Sequence, residues 1–238
     1  DMYDLADFER LFSTDHLNKA PAVFDYKKLE WYNGQYIRLL SDEELLQWVL
    51  PFITKTGDAA IPINASEEFP APNVGPEFSG IAYDENGKLC IAESALKAGA
   101  TPLSHDEIYA KLLALMPLIK ERLHFLTDAA EMVGFLFKNV ATPSIDQIVP
   151  KRLDEAKTKE VLEASKEFVK ALPNLDHEGS ESLAREMAEK LGVKLGDFMM
   201  PIRMAVTGSR VSPPLMGSIL ILGVERSLER IERTLQTL

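Results

Sequence analysis

Residues 199–231 read MMPIRMAVTGSRVSPPLMGSILILGVERSLERI, and this stretch decides the fold. Met199, Met200, Ile202, Met204 and Val206 put apolar side chains on a short helix that also projects Arg203. Thr207-Gly208-Ser209-Arg210 interrupts it with a polar turn. Ser212-Pro213-Pro214-Leu215 then makes a stiff start to the next helix, because a proline in the first turn lacks only an N–H that would have no helical partner. An arginine beside a rigid apolar ledge offers an unstacked nucleobase a fork of donors and a flat surface. The same residues also read as two packed helices joined by a loop with an exposed arginine.

Working outward, the periodicity predicts helices near 179–191, 195–205, 213–222 and 224–236. Residues 151–172 alternate charged and apolar positions (Leu153, Val161, Leu162, Phe168, Val169), an amphipathic surface helix ended by Pro173. Ser104-His105-Asp106-Glu107 is a capping box that opens a helix carrying Ile108, Leu112, Leu113, Leu115 and Met116. Pro117 is expected to kink that helix without ending it. Thr127 is placed as the cap of a following helix that buries Ala130, Val133, Phe135, Leu136 and Phe137. Near the start, Asp25 caps a helix through Leu40 with a weak spot at Asn33-Gly34. Ser41-Asp42-Glu43-Glu44 is a second capping box, and Pro51 should terminate or bend its helix.

Residues 56–103 differ in kind. Pro62, Pro70, Pro72, Pro76 and Pro102 and five glycines break any long element. Within them, Ile81-Ala82-Tyr83 and Lys88-Leu89-Cys90-Ile91 flank Asp84-Glu85-Asn86-Gly87, where Asn-Gly can supply the positive φ of a tight hairpin turn. The predicted class is mainly α: helical bundles, with a small irregular or β-hairpin module around 56–103.

The 238 residues hold 26 Lys+Arg, 37 Asp+Glu and one cysteine, with 46% apolar residues. This is globular composition, and no apolar run approaches the roughly 20 residues of a membrane span. No signal peptide is visible at the acidic start, and a lone Cys90 fits a reducing compartment, so a soluble cytoplasmic protein is expected. The net charge of −11 argues against nucleic acid only superficially. Residues 1–150 hold 12 basic and 23 acidic side chains, whereas 151–238 hold 14 of each. The 27 residues from Phe198 to Val224 carry no acid but include Arg203 and Arg210. A local acid-free surface can serve an acidic protein.

No catalytic constellation assembles. His16, His105, His124 and His177 stand apart from other metal-ligating residues, and each reads as a satisfied or solvated histidine. Neither a Gly-X-Gly-X-X-Gly loop nor a Walker pattern occurs. Glu67-Glu68 and Asp84-Glu85 lie in loop or turn contexts and read as solvated charge.

The helix, Thr-Gly turn, Pro-Leu helix start and Leu-Gly-Val-Glu-Arg of residues 199–226 resemble the C-terminal anticodon-binding region of bacterial-type glutamyl-tRNA synthetases. Lys19-Ala20-Pro21-Ala22-Val23-Phe24-Asp25, continuing through Lys28-Leu29-Glu30-Trp31 and Asn33-Gly34-Gln35-Tyr36-Ile37-Arg38, is similar to that family's stem-contact segment. The resemblance covers 5–50 and 104–238; it does not extend to 56–103. It implies an upstream class I catalytic domain that uses ATP and magnesium. The His-Ile-Gly-His and Lys-Met-Ser-Lys type sequences of that domain are absent here, so this chain alone is expected to bind tRNA and not to aminoacylate it, with no cofactor of its own.

Residue by residue, the resemblance implies that Arg122, in Met116-Pro117-Leu118-Ile119-Lys120-Glu121-Arg122-Leu123, reads the third anticodon base and so separates glutamate from glutamine codons. A guanidinium offers paired donors to the acceptors of cytosine. The bland alternative pairs Arg122 with a nearby acid. Arg203 matches a second anticodon arginine, and Ser212, Pro213 and Leu215 match the ledge against the bases. Ser212 stands where the family often has Thr, and Pro214 where it often has Gly, which stiffens the ledge. Arg210 has no family counterpart and reads only as a phosphate contact. Lys27, Lys28, Asn33 and Arg38 are expected at the inner corner of the tRNA, setting affinity and salt dependence, or else on a solvated helix face. Trp31 and Tyr36 are expected in the core.

The expected divisions are a stem-contact segment (1–55), the irregular insertion (56–103), and two anticodon-binding bundles (104–172 and 173–238). The implied partners are glutamate-specific tRNA and the upstream catalytic domain, with neither membrane nor DNA. Two rival readings are a helical protein–protein adaptor that docks through 199–222, and a small complete enzyme.

Overall fold

The computed structural model describes residues 5–13, 23–55 and 79–238. Most of them are helical. The first helices are α1 (Leu5–Leu11), α2 (Tyr26–Leu39) and α3 (Asp42–Ile53), and the short strands are β1 (Thr54–Lys55), β2 (Ile81–Tyr83) and β3 (Leu89–Ile91). Then follow α4 (Glu93–Lys97), α5 (His105–Ile119), α6 (Ala129–Phe137), α7 (Ile145–Ile148) and α8 (Glu155–Ala171). The chain closes with α9 (His177–Lys190), α10 (Leu195–Thr207), α11 (Leu215–Leu222) and α12 (Val224–Leu235). Among the described residues, no helix is long and apolar enough to cross a membrane.

Local chemistry sets the helix starts. Ser41 and Ser104 accept from the backbone N–H of Glu44 and Glu107, and both glutamates reach back to the serine N–H at 2.8 Å. Each box satisfies donors that a helix start would otherwise leave orphaned. Asp25 caps α2 by accepting from Lys28 N–H at 3.1 Å. Pro51 and Pro117 both lie inside their helices, which continue to Ile53 and Ile119. Thr127 does not cap α6. A 3-10 turn (Leu126–Asp128) leads into that helix, and Asp128 accepts from the N–H groups of His124 and Phe125. That carboxylate gives the chain a better acceptor than the threonine hydroxyl.

The hairpin forms as an antiparallel pair with Ile81 opposite Ile91 and Tyr83 opposite Leu89. Its turn is longer than the two-residue kind. Asp84 Oδ1 accepts from Asn86 and Lys88 N–H, and the left-handed position falls on Gly87 alone, at φ 73°. β1 adds a parallel third strand beside β2. Residues 56–78 of the irregular insertion, and the Lys19–Ala22 part of the family match, lie outside the described residues.

One cluster of buried apolar side chains runs from Ile37 through α3, the sheet and α5–α12 to Leu235. α6 buries every residue but Glu131, whereas α8 buries a stripe of Val161, Leu162, Phe168 and Val169. α12 packs on α8 and α10. Its arginines reach across to the last turn of α6 and the residue after it: Arg226 Nη1 donates to Leu136 O at 2.9 Å, and Arg230 Nη2 donates to Phe135 O at 2.8 Å and Lys138 O at 3.0 Å. Arg233 donates to Asn139 Oδ1 at 2.9 Å.

The expectation that Trp31 and Tyr36 are core is overturned, since they are 53% and 51% exposed. α2 buries only Gly34 and Ile37, and both aromatics fall off that stripe. Phe24, Tyr26, Leu29 and Leu39 are exposed as well, so this end of the chain presents a largely apolar helix surface.

Candidate nucleic-acid interface

Three consecutive charges at the end of α5 have three different fates. Lys120, Glu121 and Arg122 form a 3-10 turn, anchored by the fully buried Leu123. Lys120 Nζ forms an ion pair with Asp42 Oδ1 at 2.6 Å and donates to Leu40 O at 2.8 Å. Glu121 Oε2 accepts from Arg38 Nε at 2.9 Å, and the Glu121 carbonyl accepts from Arg38 Nη2 at 3.1 Å. Asn33 Nδ2 donates to His124 O. Gly34 leaves room for the guanidinium that holds the turn, since a Cβ there would lie 3.1 Å from Arg38 Nη1. α2 and α3 thus hold the turn, and among the described residues no carboxylate pairs with Arg122.

Arg203, on α10, is half-buried. Its Nη1 donates to Pro213 O at 2.9 Å, to Ser212 O at 3.4 Å and to Ser212 Oγ. Burial, and then the charge of Arg122, push the Arg203 guanidinium below its ordinary pKa. Gly208 ends α10 at φ 71°, a conformation costly for any residue with a Cβ, and a Cβ there would collide with Val140 Cγ1. The turn therefore reverses tightly and brings Pro213-Pro214 back over Arg203.

Arg122 and Arg203 share one cleft of about 510 Å³. Leu118, Met199, Pro214, Leu215, Met216 and Leu220 give it apolar walls, while Asp176, His177, Ser180 and Glu181 line it from α9. Gly217 lets α11 approach α5 here, since a Cβ would lie 2.5 Å from Leu118 Cδ1. Two cations with no carboxylate partner among the described residues, apolar walls and acceptors in one concavity suit a flat, polar, hydrogen-bonding ligand.

The predicted residues divide accordingly. Arg122, Arg203 and Leu215 meet in the cleft, while Ser212 and Pro213 are buried and bonded to Arg203. Arg38 and Asn33 hold the turn that carries Arg122. Arg210 is exposed and donates to Gln147 O at 3.3 Å. Lys27 and Lys28 are exposed on α2, with the Lys28 ammonium 5.8 Å from the Tyr32 ring centroid. Sequence reasoning did not find the α9 wall or Gly217; a glycine in the first turn of a largely apolar helix was the available signal for the latter. Among the described residues, no group of His, Cys, Asp or Glu is placed to hold a metal, and His105 Nδ1 accepts from Leu89 N–H at 2.9 Å.

A glutamate–tRNA ligase of Treponema denticola is 46% identical over 236 residues, which cover 99% of this chain and 42% of that protein. One from Borreliella burgdorferi is 30% identical, covering 95% and 38%. The chain therefore spans about two fifths of the length of these relatives. A crystal structure of glutamate-tRNA synthetase from Elizabethkingia anophelis matches 98% of this chain and 36% of that one, at a TM-score of 0.54 and 22% identity. A family model described as an anticodon binding domain matches residues 91–235, which include the whole cleft, and the chain belongs to that family.

Proposed function

We propose that this chain is the tRNA-binding, C-terminal part of a glutamate–tRNA ligase and that its cleft receives anticodon bases. The observation that carries this reading is the convergence of Arg122 and Arg203, with no carboxylate paired to either among the described residues, beside the ledge of Pro214 and Leu215. Guanidinium forks read base acceptors, and the ledge packs against a ring. Arg122 reads the third anticodon base. Arg203 contacts the bases and also braces the ledge through Ser212 and Pro213. Asn33 and Arg38 act indirectly, by holding the 120–124 turn, while Lys27, Lys28 and Arg210 contact phosphates and contribute affinity without base specificity.

Attachment of glutamate, with ATP and magnesium, belongs to an upstream catalytic domain of the same cytoplasmic polypeptide. The exposed apolar surface of α2 suits packing against that domain. Binding of the anticodon then helps place the acceptor end where the reaction occurs.

The test is equilibrium binding of the chain to the anticodon stem-loop of a glutamate tRNA at two salt concentrations. Binding that weakens with salt and is lost in Arg122→Ala and Arg203→Ala supports the reading. Absence of binding at either salt concentration would favour a protein–protein adaptor.

A further inference from the structure

The cleft that holds the two arginines carries acids on its α9 wall, Asp176 and Glu181. These carboxylates would repel a phosphate, so the cleft is not built for a phosphate alone. A nucleobase edge presents donors beside acceptors, and cytosine sets an exocyclic N4 amine next to the N3 and O2 acceptors. Several groups on this wall already have partners. Asp176 Oδ1 accepts from Gly179 N–H at 2.8 Å, and the Ser180 hydroxyl donates to Asp176 O at 2.7 Å. Glu181 is held more loosely: Oε1 lies 3.7 Å from His177 Nε2 and Oε2 lies 3.5 Å from Arg185 Nη2, on a side chain 47% exposed. Contacts of that length at the surface leave a carboxylate free to turn to a better donor.

We propose that Glu181 is a specificity-determining residue of this cleft: its carboxylate accepts from the N4 amine of a cytosine whose other acceptors face the arginines. The inference rests on the anticodon reading above. Glutamate codons begin with guanine, so the third anticodon base is cytosine; lysine codons begin with adenine and require uracil there. Arginine donors alone separate these two pyrimidines poorly, because uracil also offers carbonyl acceptors. The carboxylate supplies the discrimination, since uracil replaces the amine with a carbonyl and sets acceptor against acceptor.

The experiment compares binding of the chain to two anticodon stem-loops that differ only in cytosine or uracil at the third anticodon position. Wild type is expected to prefer cytosine. Glu181→Gln, whose amide can also donate to a carbonyl, is expected to narrow that preference about tenfold. Glu186→Gln, on the same helix but paired with Lys190 at 2.6 Å and outside the cleft lining, is expected to keep the preference. An unchanged cytosine-to-uracil ratio in Glu181→Gln, with the wild-type preference intact, overturns the proposal and leaves the anticodon reading standing. An equal loss of preference in Glu186→Gln makes the effect one of helix charge and not of the Glu181 carboxylate, and also overturns it. A wild type that binds both loops equally overturns the proposal alone, and a wild type that binds neither loop overturns both readings.

Discussion

Arg203 Nη1 lies 2.9 Å from the carbonyl oxygen of Pro213, so the guanidinium that lines the cleft also fixes the ledge beside it. A lysine cannot reproduce this, because one ammonium cannot hold both Ser212 and Pro213 while presenting a planar fork to a ligand. Arg203→Lys is expected to weaken stem-loop binding about tenfold or more. It is also expected to speed amide exchange in residues 208–214, read by hydrogen–deuterium exchange. Lost binding with unchanged exchange would leave Arg203 a contact without a bracing role.

Lys120 tests the positioning of its neighbour. Its ammonium is 16% exposed and tied to Asp42 and Leu40, away from the cleft-lining residues. Lys120→Ala should loosen the turn that carries Arg122 and leave Asp42 without its cation. The expected result is weaker stem-loop binding together with a loss of about 1–3 kcal/mol of stability, read from a denaturant midpoint. Arg122→Ala should weaken binding with stability nearly unchanged.

Arg230 is 3% exposed and donates to Phe135 O, Lys138 O and Val206 O. Burial, and then the charges of Arg226 and Arg233, push its guanidinium down to about 9. Its stabilising partners are carbonyls, which carry the negative ends of peptide dipoles. Arg230→Ala strands those acceptors and leaves a void, so a loss of about 3–5 kcal/mol is expected. A chemical denaturation curve within 1 kcal/mol of wild type, roughly the scale of a surface change, would contradict this account of how α12 is fastened.

Local chemistry was legible in the sequence, and long-range pairing was not. The boxes at Ser41–Glu44 and Ser104–Glu107 lie within four residues and are read directly, as is the Asp25 cap. The hairpin was visible because its strands adjoin in sequence, but β1 was missed because its partner β2 lies beyond residue 80. Trp31 and Tyr36 were misplaced because large aromatics usually mark a core, and only the packed position of Gly34 reveals which stripe of α2 is buried. Arg122 and Arg203 were both singled out, yet their meeting, and the arrival of Glu181 beside them, depend on how α5, α9, α10 and α11 cross.

The capping boxes carry a pH signature. Acceptance of the Ser41 N–H and then its hydroxyl lowers the Glu44 pKa below the usual 4.5, and Ser104 does the same for Glu107. A depressed folded-state value means the stabilisation is present above pH 4.5 and fades as pH falls through the lower folded value. Glu44→Gln and Glu107→Gln keep an acceptor without a titrating proton. Together they should flatten the fall of the thermal midpoint on acidification, and an identical pH profile would argue against these two groups as its source.

The most direct test of the central claim is binding of the chain to a glutamate anticodon stem-loop against the same loop with guanine at the third anticodon position, for wild type and Arg122→Gln. The account predicts tighter binding of the cytosine loop by wild type and a much smaller difference for the variant. Equal discrimination by both proteins would contradict the assignment of base reading to Arg122.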